Sequence, residues 1–390
     1  MDGTFRLLTA QLHHAAASFG AVVLTGPRRA GKTSLLRAAF PGAAWVLLED
    51  PAVLAAVRAD PRGFLDRMRL PVILDEVQNA PELLNHVRSR IDHDPAAKGR
   101  WLLTGSQEFG LMRGVTESMA GRAAILQLLP FSVAESPGVT LFRGGFPEVV
   151  NDPGASHLWF RSYVQSYIER DVRVVANITN ISLFRRFLSV LASRTGALLN
   201  KTDIAAPLGV SVPTVTAWLD ILETTGVILV VPPWFSNLGK RLLKSPRVYF
   251  ADSGLACHLL GLESAEALER SPMLGPVFEG FVAAELAKHR INAARGRALH
   301  WFRDQQGLEV DFLLEGPGAT PVLIEAKATH TPTPDDARGI LRLRQALPER
   351  GEDYVVHRVS PSAPAPISVA PGVLALGIDE LLSRLAARDL

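Results

Sequence analysis

The stretch Thr25 to Ser34, T-G-P-R-R-A-G-K-T-S, has the residue types and spacing of a phosphate cradle, G-x-x-x-x-G-K-[ST]. Gly26 and Gly31 let the backbone curl so that successive N–H groups point at one centre. Pro27, Arg28, Arg29 and Ala30 fill the loop between them, and Lys32, Thr33 and Ser34 follow. The Lys32 ammonium suits the β- and γ-phosphates of ATP, and the Thr33 hydroxyl suits Mg2+. A second stretch, Val72-Ile73-Leu74-Asp75-Glu76, sets two acids at the end of an apolar run. With a phosphate loop upstream, Asp75 is expected in the Mg2+ shell and Glu76 as the group that polarises the attacking water. Ser106, with Thr104 and Gln107 as alternatives, is expected to sense the γ-phosphate or orient that water. Arg122 reads either as a finger reaching a neighbouring subunit's γ-phosphate or as a helix C-capping charge.

These groups need a parallel sheet with helices on its faces. Ala21 to Leu24 is a short apolar run suited to a buried parallel strand. Leu35, Leu36, Ala39 and Phe40 recur at helical spacing after the loop, so the loop opens a helix whose N-terminus attracts anions. An amphipathic helix over Phe5 to Phe19 comes first. Further strands are expected at Ala43 to Glu49, Arg100 to Ser106 and Ala123 to Leu129, with a helix at Gln107 to Gly121. At 390 residues the chain exceeds one ordinary core. The expected units are residues 1–135, 136–198 (a helical lid), 199–260 and 271–390.

Hydrophobic content of 47% and charged content of 21% mark a folded globular chain, and no apolar run reaches bilayer length. One cysteine, Cys257, excludes intramolecular disulfides and multi-thiolate zinc sites, which fits a reducing cytoplasm. The net charge of +2 says little about nucleic acid, so local basic clusters carry that question.

One such cluster follows a helix–turn–helix pattern. A short helix at Thr202 to Ala206, a turn at Leu208-Gly209-Val210 and a longer helix capped by Ser211 read as that arrangement. Val227 to Val231 and Arg247 to Phe250 then form the strands of a wing. Thr214 and Thr216 are expected on the groove side of the second helix. Lys240, Arg241, Lys244 and Arg247 on the wing are expected to meet DNA phosphates. The second helix has no arginine or lysine to read base edges, so a protein partner is the alternative.

The last region sets Glu279 on a patterned helix, Pro276 to Arg290, and Asp311 in the strand Glu309 to Leu314. Glu325 and Lys327 follow in the strand Val322 to Lys327. Residues two apart project from one strand face. The order resembles the D…[DE]-x-K core of restriction-endonuclease-like nucleases. That resemblance implies Asp311 and Glu325 holding Mg2+, Lys327 orienting the water and Glu279 completing the shell, or else a retained fold without activity.

The stretches T-G-P-R-R-A-G-K-T, L-D-E-V-Q-N-A-P-E-L-L, L-L-T-G-S-Q and S-M-A-G-R-A-A-I-L-Q-L-L-P-F-S resemble the prokaryotic AAA-type ATPases that carry a C-terminal domain of unknown function, the family numbered 4143. G-G-F-P-E at Gly144 to Glu148 and Y-V-Q-S-Y-I-E-R-D-V at Tyr163 to Val172 resemble the lid region of that family. The resemblance implies an α/β multidomain protein with a five-stranded parallel sheet, commonly assembling as a homo-oligomeric ring, with a hexamer among the admissible sizes. The expected function is a Mg2+-dependent ATPase remodelling or translocating on DNA. The alternatives are a nucleotide-dependent switch with an inert nuclease fold, and an ATP-regulated endonuclease.

Overall fold

The computed structural model describes residues 5–105, 119–168, 180–234, 245–296, 298–315, 320–347, 351–359 and 366–388. The first sheet is built from β1 (Ala21–Thr25), β2 (Ala44–Leu47), β3 (Val72–Asp75), β4 (Trp101–Thr104) and β5 (Ala123–Gln127), in the order β2-β3-β4-β1-β5. All four pairings are parallel. Residues of β1, β3 and β4 are buried throughout, because helices cover both faces and the strands read as unbroken apolar runs. Their carboxyl ends gather Thr25, Asp75 and Thr104 at one edge of the sheet, the place where open α/β sheets bind ligands. The helix expected at Gln107 to Gly121 falls largely on residues 106–118, outside the described residues.

The chain then packs a second core from Phe146, Phe160, Phe184, Phe187, Trp218, Leu222 and Phe250 among others. The lid stretch and the helix pair are therefore joined by packing. The first helix of that pair, Lys201–Leu208, ends at Gly209 in the left-handed region (φ 67). The second, Val212–Thr224, starts at Ser211, whose side chain accepts from the Thr214 amide. They are bent by 112°. The strands that follow, β6 (Ile228–Val231) and β7 (Arg247–Phe250), pair antiparallel.

The C-terminal sheet has six strands in the order β12-β13-β11-β10-β9-β8. They are β8 (Leu299–Arg303), β9 (Glu309–Leu314), β10 (Val322–Lys327), β11 (Asp353–His357), β12 (Ile367–Ala370) and β13 (Val373–Leu376). The β8-β9-β10 and β12-β13 pairings are antiparallel, while β10-β11-β13 is parallel. The helix Leu274–Asn292 covers one face, with 14 of its 19 residues buried. No single described helix is long and apolar enough to cross a membrane.

The β6–β7 hairpin does not stand free as a wing. Val231 and Tyr249 pack in the C-terminal core with Trp301, Phe312 and Tyr354. The Trp234 amide donates to the Trp301 carbonyl (2.7 Å) and the Trp301 amide to the Pro232 carbonyl (3.1 Å). Apolar burial and backbone pairing dock this hairpin on β8.

Candidate functional site

The phosphate loop leaves β1 through Gly26, whose φ of +141 and close approach to the chain just after β5 admit no side chain: an added Cβ would lie 2.0 Å from the Leu128 carbonyl oxygen. Gly31, at φ +93, turns the chain into the helix Lys32–Ala39. No side chain caps that helix. Elsewhere Asp50, Asp60, Asn180, Asn200, Ser211, Asp252 and Ser264 cap helices with side-chain oxygens. The phosphate-loop helix thus points the positive end of its dipole at the place an anion would take. The buried Lys32 ammonium folds over the loop and donates to the carbonyls of Gly26 and Pro27, both at 3.0 Å.

Asp75, buried at the end of β3, receives hydrogen bonds from three neutral donors. The Thr33 hydroxyl lies 2.9 and 3.1 Å from its two oxygens, and the Trp45 indole N–H lies 3.2 Å away. The Thr104 hydroxyl also donates to Asp75 and accepts from the Glu76 amide at 3.1 Å. Glu76 sits in the left-handed region (φ 59), a conformation that costs a non-glycine residue roughly 1 kcal/mol or more and clusters at functional sites. The Gln78 side-chain amide donates to its carboxylate. Thr33 and Asp75 converge as an oxygen pair that suits Mg2+ beside a bound nucleotide, and neither is committed to a protein cation.

Thr104 and Gln107 are the alternatives to Ser106. Ser106 and Gln107 lie outside the described residues, whereas Thr104 touches both acids. Arg122 precedes β5 at the sheet edge away from its own phosphate loop, since Ala123 pairs with Ala21 and Gln127 with Thr25. It is bound bidentately to Asp92, and that hydrogen bond lowers Asp92 below the usual carboxylate range and raises Arg122. That register sets Arg122 at the opposite end of β5 from the phosphate loop of its own subunit.

Sequence reading missed the groups that brace the loop. Arg6 donates to the Ala30 carbonyl of the loop (3.0 Å), to the Leu129 carbonyl (2.6 Å) and to Glu135 (3.0 Å), and stacks on Phe131. Glu135 in turn accepts from the Ser132 amide. The next residues along, Phe131 and Val133, are held by a buried pair on the long C-terminal helix: Lys288 donates to the Phe131 carbonyl (2.9 Å) and Glu285 accepts from the Val133 amide (2.9 Å). Burial raises Glu285 above the usual carboxylate range, against the pull of Lys288 at 2.7 Å. Arg29 pairs with Glu148 of the G-G-F-P-E stretch at 3.4 Å. Burial raises Glu148 as well. Asp252 accepts from the Gly145 amide at 2.7 Å, binding the same stretch from the other side. These partners are far apart in sequence and belong to no local pattern.

The C-terminal residues do come together. Glu279, Asp311, Glu325 and Lys327 line one open cleft of about 450 Å³ with Glu309. Asp311 accepts from the Ala326 amide at 3.0 Å, and Lys327 donates to Glu325 at 2.7 Å. Burial first, then the neighbouring Asp311, pushes Glu279 up to about 7 and Glu325 up to about 8. Burial opposes the Lys327 charge, but Glu325 and Asp311 raise its pKa.

Arg247 corrects an expectation. Predicted on the wing facing DNA phosphates, it is 6% exposed and reaches into this cleft. It donates to Glu279 (2.7 Å), to Asp311 (3.3 Å) and to Glu309. A guanidinium so placed is closed to a phosphate backbone. Among the described residues no group of three or more His, Cys, Asp or Glu side chains is arranged to hold a metal ion. With Arg247 bonded to Glu279 and Asp311 and Lys327 bonded to Glu325, the residues present do not fit the nuclease metal that the D…E-x-K pattern implies. Thr214 and Thr216 hydrogen-bond locally, to the Ser211 hydroxyl (2.8 Å) and the Val212 carbonyl (3.0 Å). Lys240, Arg241 and Lys244 lie outside the described residues.

Three families match successive parts of the chain. An AAA domain matches residues 18–136, a domain of unknown function (DUF8612) residues 139–266, and a domain of unknown function (DUF4143) residues 274–365. An uncharacterised protein of Mycobacterium tuberculosis is 34% identical over 331 residues, which cover 83% of this chain and 74% of that protein. An uncharacterised protein of Mycobacterium bovis matches with the same identity and coverage. Among solved structures, a Walker-type ATPase of Pyrococcus abyssi is 17% identical, with 65% of this chain and 94% of that chain covered and a TM-score of 0.42. The chain belongs to the AAA-type P-loop ATPases that carry a C-terminal DUF4143 domain, and it is an ATP hydrolase.

Proposed function

We propose that the chain hydrolyses Mg2+-ATP at the phosphate loop and uses the cycle to act on DNA as an oligomer, with its C-terminal domain serving as a docked rather than a cutting module. The observation that carries the catalytic part is the Thr33–Asp75–Thr104–Glu76 constellation at the carboxyl edge of the sheet. Lys32 and the uncapped helix amides bind the phosphates, and Thr33 and Asp75 hold Mg2+, which neutralises charge on the phosphate oxygens. Glu76 polarises the attacking water, and Thr104 fixes the Glu76 backbone against β4. Arg122 serves a neighbouring subunit's site after leaving Asp92. Nucleotide-dependent shifts of the loop pass through Arg6, Glu135 and the Glu285–Lys288 pair to the long C-terminal helix.

The DNA part rests on Lys240, Arg241 and Lys244, three cations within five residues after the helix pair. A second reading, an ATP-dependent switch with a protein partner, is favoured by the second helix of the pair. Its exposed face carries Val212, Pro213, Ala217 and Asp220, which offer no positive charge to a phosphate backbone. Steady-state ATPase assays with Mg2+, alone and with single-stranded, duplex and four-way-junction DNA at low and moderate salt, separate the two. Stimulation by one DNA form that fades with salt, and is lost when Lys240, Arg241 and Lys244 become Ala, supports the DNA reading. A rate indifferent to every form supports the switch.

A further inference from the structure

The acidic cleft of the C-terminal domain has the residue order of a metal-dependent nuclease centre but is met by a cation from elsewhere in the same chain. Arg247 begins β7, and its strand is docked by Tyr249, which is buried against Phe312 and donates its hydroxyl to Glu279. The guanidinium lies 4.6 Å over the buried Trp301 ring and forks among three carboxylates from two segments: Glu279 on the long helix, and Glu309 and Asp311 on β9. A planar guanidinium suits this place better than an ammonium, because it stacks on an aromatic face while bonding in its own plane. The other acid of the pattern, Glu325, is taken by Lys327. Both cations are covalently part of the chain, and the carboxylate oxygens that a divalent ion needs are already donated to.

We propose that Arg247 occupies the position of the missing metal, so that the D…E-x-K face is the docking site of this chain's own β6–β7 hairpin and clamps the middle of the molecule to the C-terminal domain. On this account the cleft does not bind a divalent cation, and the nuclease-like fold is used as a guanidinium receptor. The clamp joins the hairpin that follows the helix pair to the helix that also carries Glu285 and Lys288, and it stands whether the partner acted on is DNA or protein.

The test is calorimetric titration of the nucleotide-free full chain with Mn2+, comparing the native protein, Asp311→Asn and Arg247→Met. The native protein shows no Mn2+ binding that Asp311→Asn removes, whereas Arg247→Met gains an Mn2+ site that adding Asp311→Asn to that variant removes; an Arg247→Met variant that gains no such site overturns the proposal. Asp311-dependent Mn2+ binding by the native protein overturns the proposal. Where Arg247→Met is too unstable to titrate, thermal unfolding of Arg247→Lys, Asp311→Asn and the double variant decides instead. A melting-temperature loss in Arg247→Lys that is smaller in the Asp311→Asn background supports the clamp; strict additivity overturns it.

Discussion

The phosphate-loop site and the C-terminal cleft hold nearly the same side chains, acids near a lysine at the edge of a sheet, and differ in what the acids are bonded to. Asp75 is held by two hydroxyls and an indole N–H, all neutral donors that can turn aside for a cation. Glu279, Asp311 and Glu325 face Arg247 and Lys327, which carry full charge and are fixed by packing or covalent proximity. Neutral donors hold a carboxylate ready for a metal, whereas a built-in cation takes the metal's electrostatic place. A motif of acids and a lysine therefore does not define a metal site until the counter-charge is located.

The comparison is sharpened first at the phosphate loop. Lys32→Ala lowers ATP turnover by about a thousandfold, measured by steady-state phosphate release, because the ammonium stabilises charge that develops on the transferring phosphoryl group. Thr104→Val, which keeps the shape and removes the hydroxyl, lowers kcat by roughly tenfold to a hundredfold with ATP binding retained. An unchanged kcat would remove Thr104 from the account.

The cleft responds to pH instead. Glu279 and Glu325 keep protons in the folded chain up to about 7 and about 8, while the unfolded chain releases them in the ordinary carboxylate range. Folded-state proton uptake exceeds that of the unfolded chain between those limits. Their contribution is fully present at lower pH and is lost as pH rises through 7 and 8. Thermal melts therefore fall by several degrees between roughly pH 5 and pH 8.5, and Glu325→Gln flattens part of that fall. The smallest effect is expected at Lys327, whose side chain is 36% exposed. Lys327→Met shifts stability by no more than about 1 kcal/mol in urea unfolding and leaves ATPase activity unchanged. Loss of ATPase activity there would show that the cleft takes part in turnover.

What was legible in sequence was local. The strands Glu309–Leu314 and Val322–Lys327 were readable to the residue, because apolar runs are written within one segment. That Lys32, Thr33, Asp75 and Glu76 lie together at the end of the first sheet was legible for the same reason. Arg6, Glu135, Glu285 and Lys288 were not, since their meaning lies in contacts spanning more than a hundred residues. Arg247 was misread because a basic residue near a turn resembles a surface charge until the docking of Tyr249 and Val231 on the C-terminal core is seen.

The central claim is that Glu76 is the group that polarises the attacking water beside Mg2+-ATP. Its most direct test is a paired measurement on Glu76→Gln of ATP affinity, by a fluorescent analogue, and of single-turnover hydrolysis. The account predicts native-like binding and turnover reduced by roughly a hundredfold or more. Hydrolysis at the native rate with binding intact would contradict it.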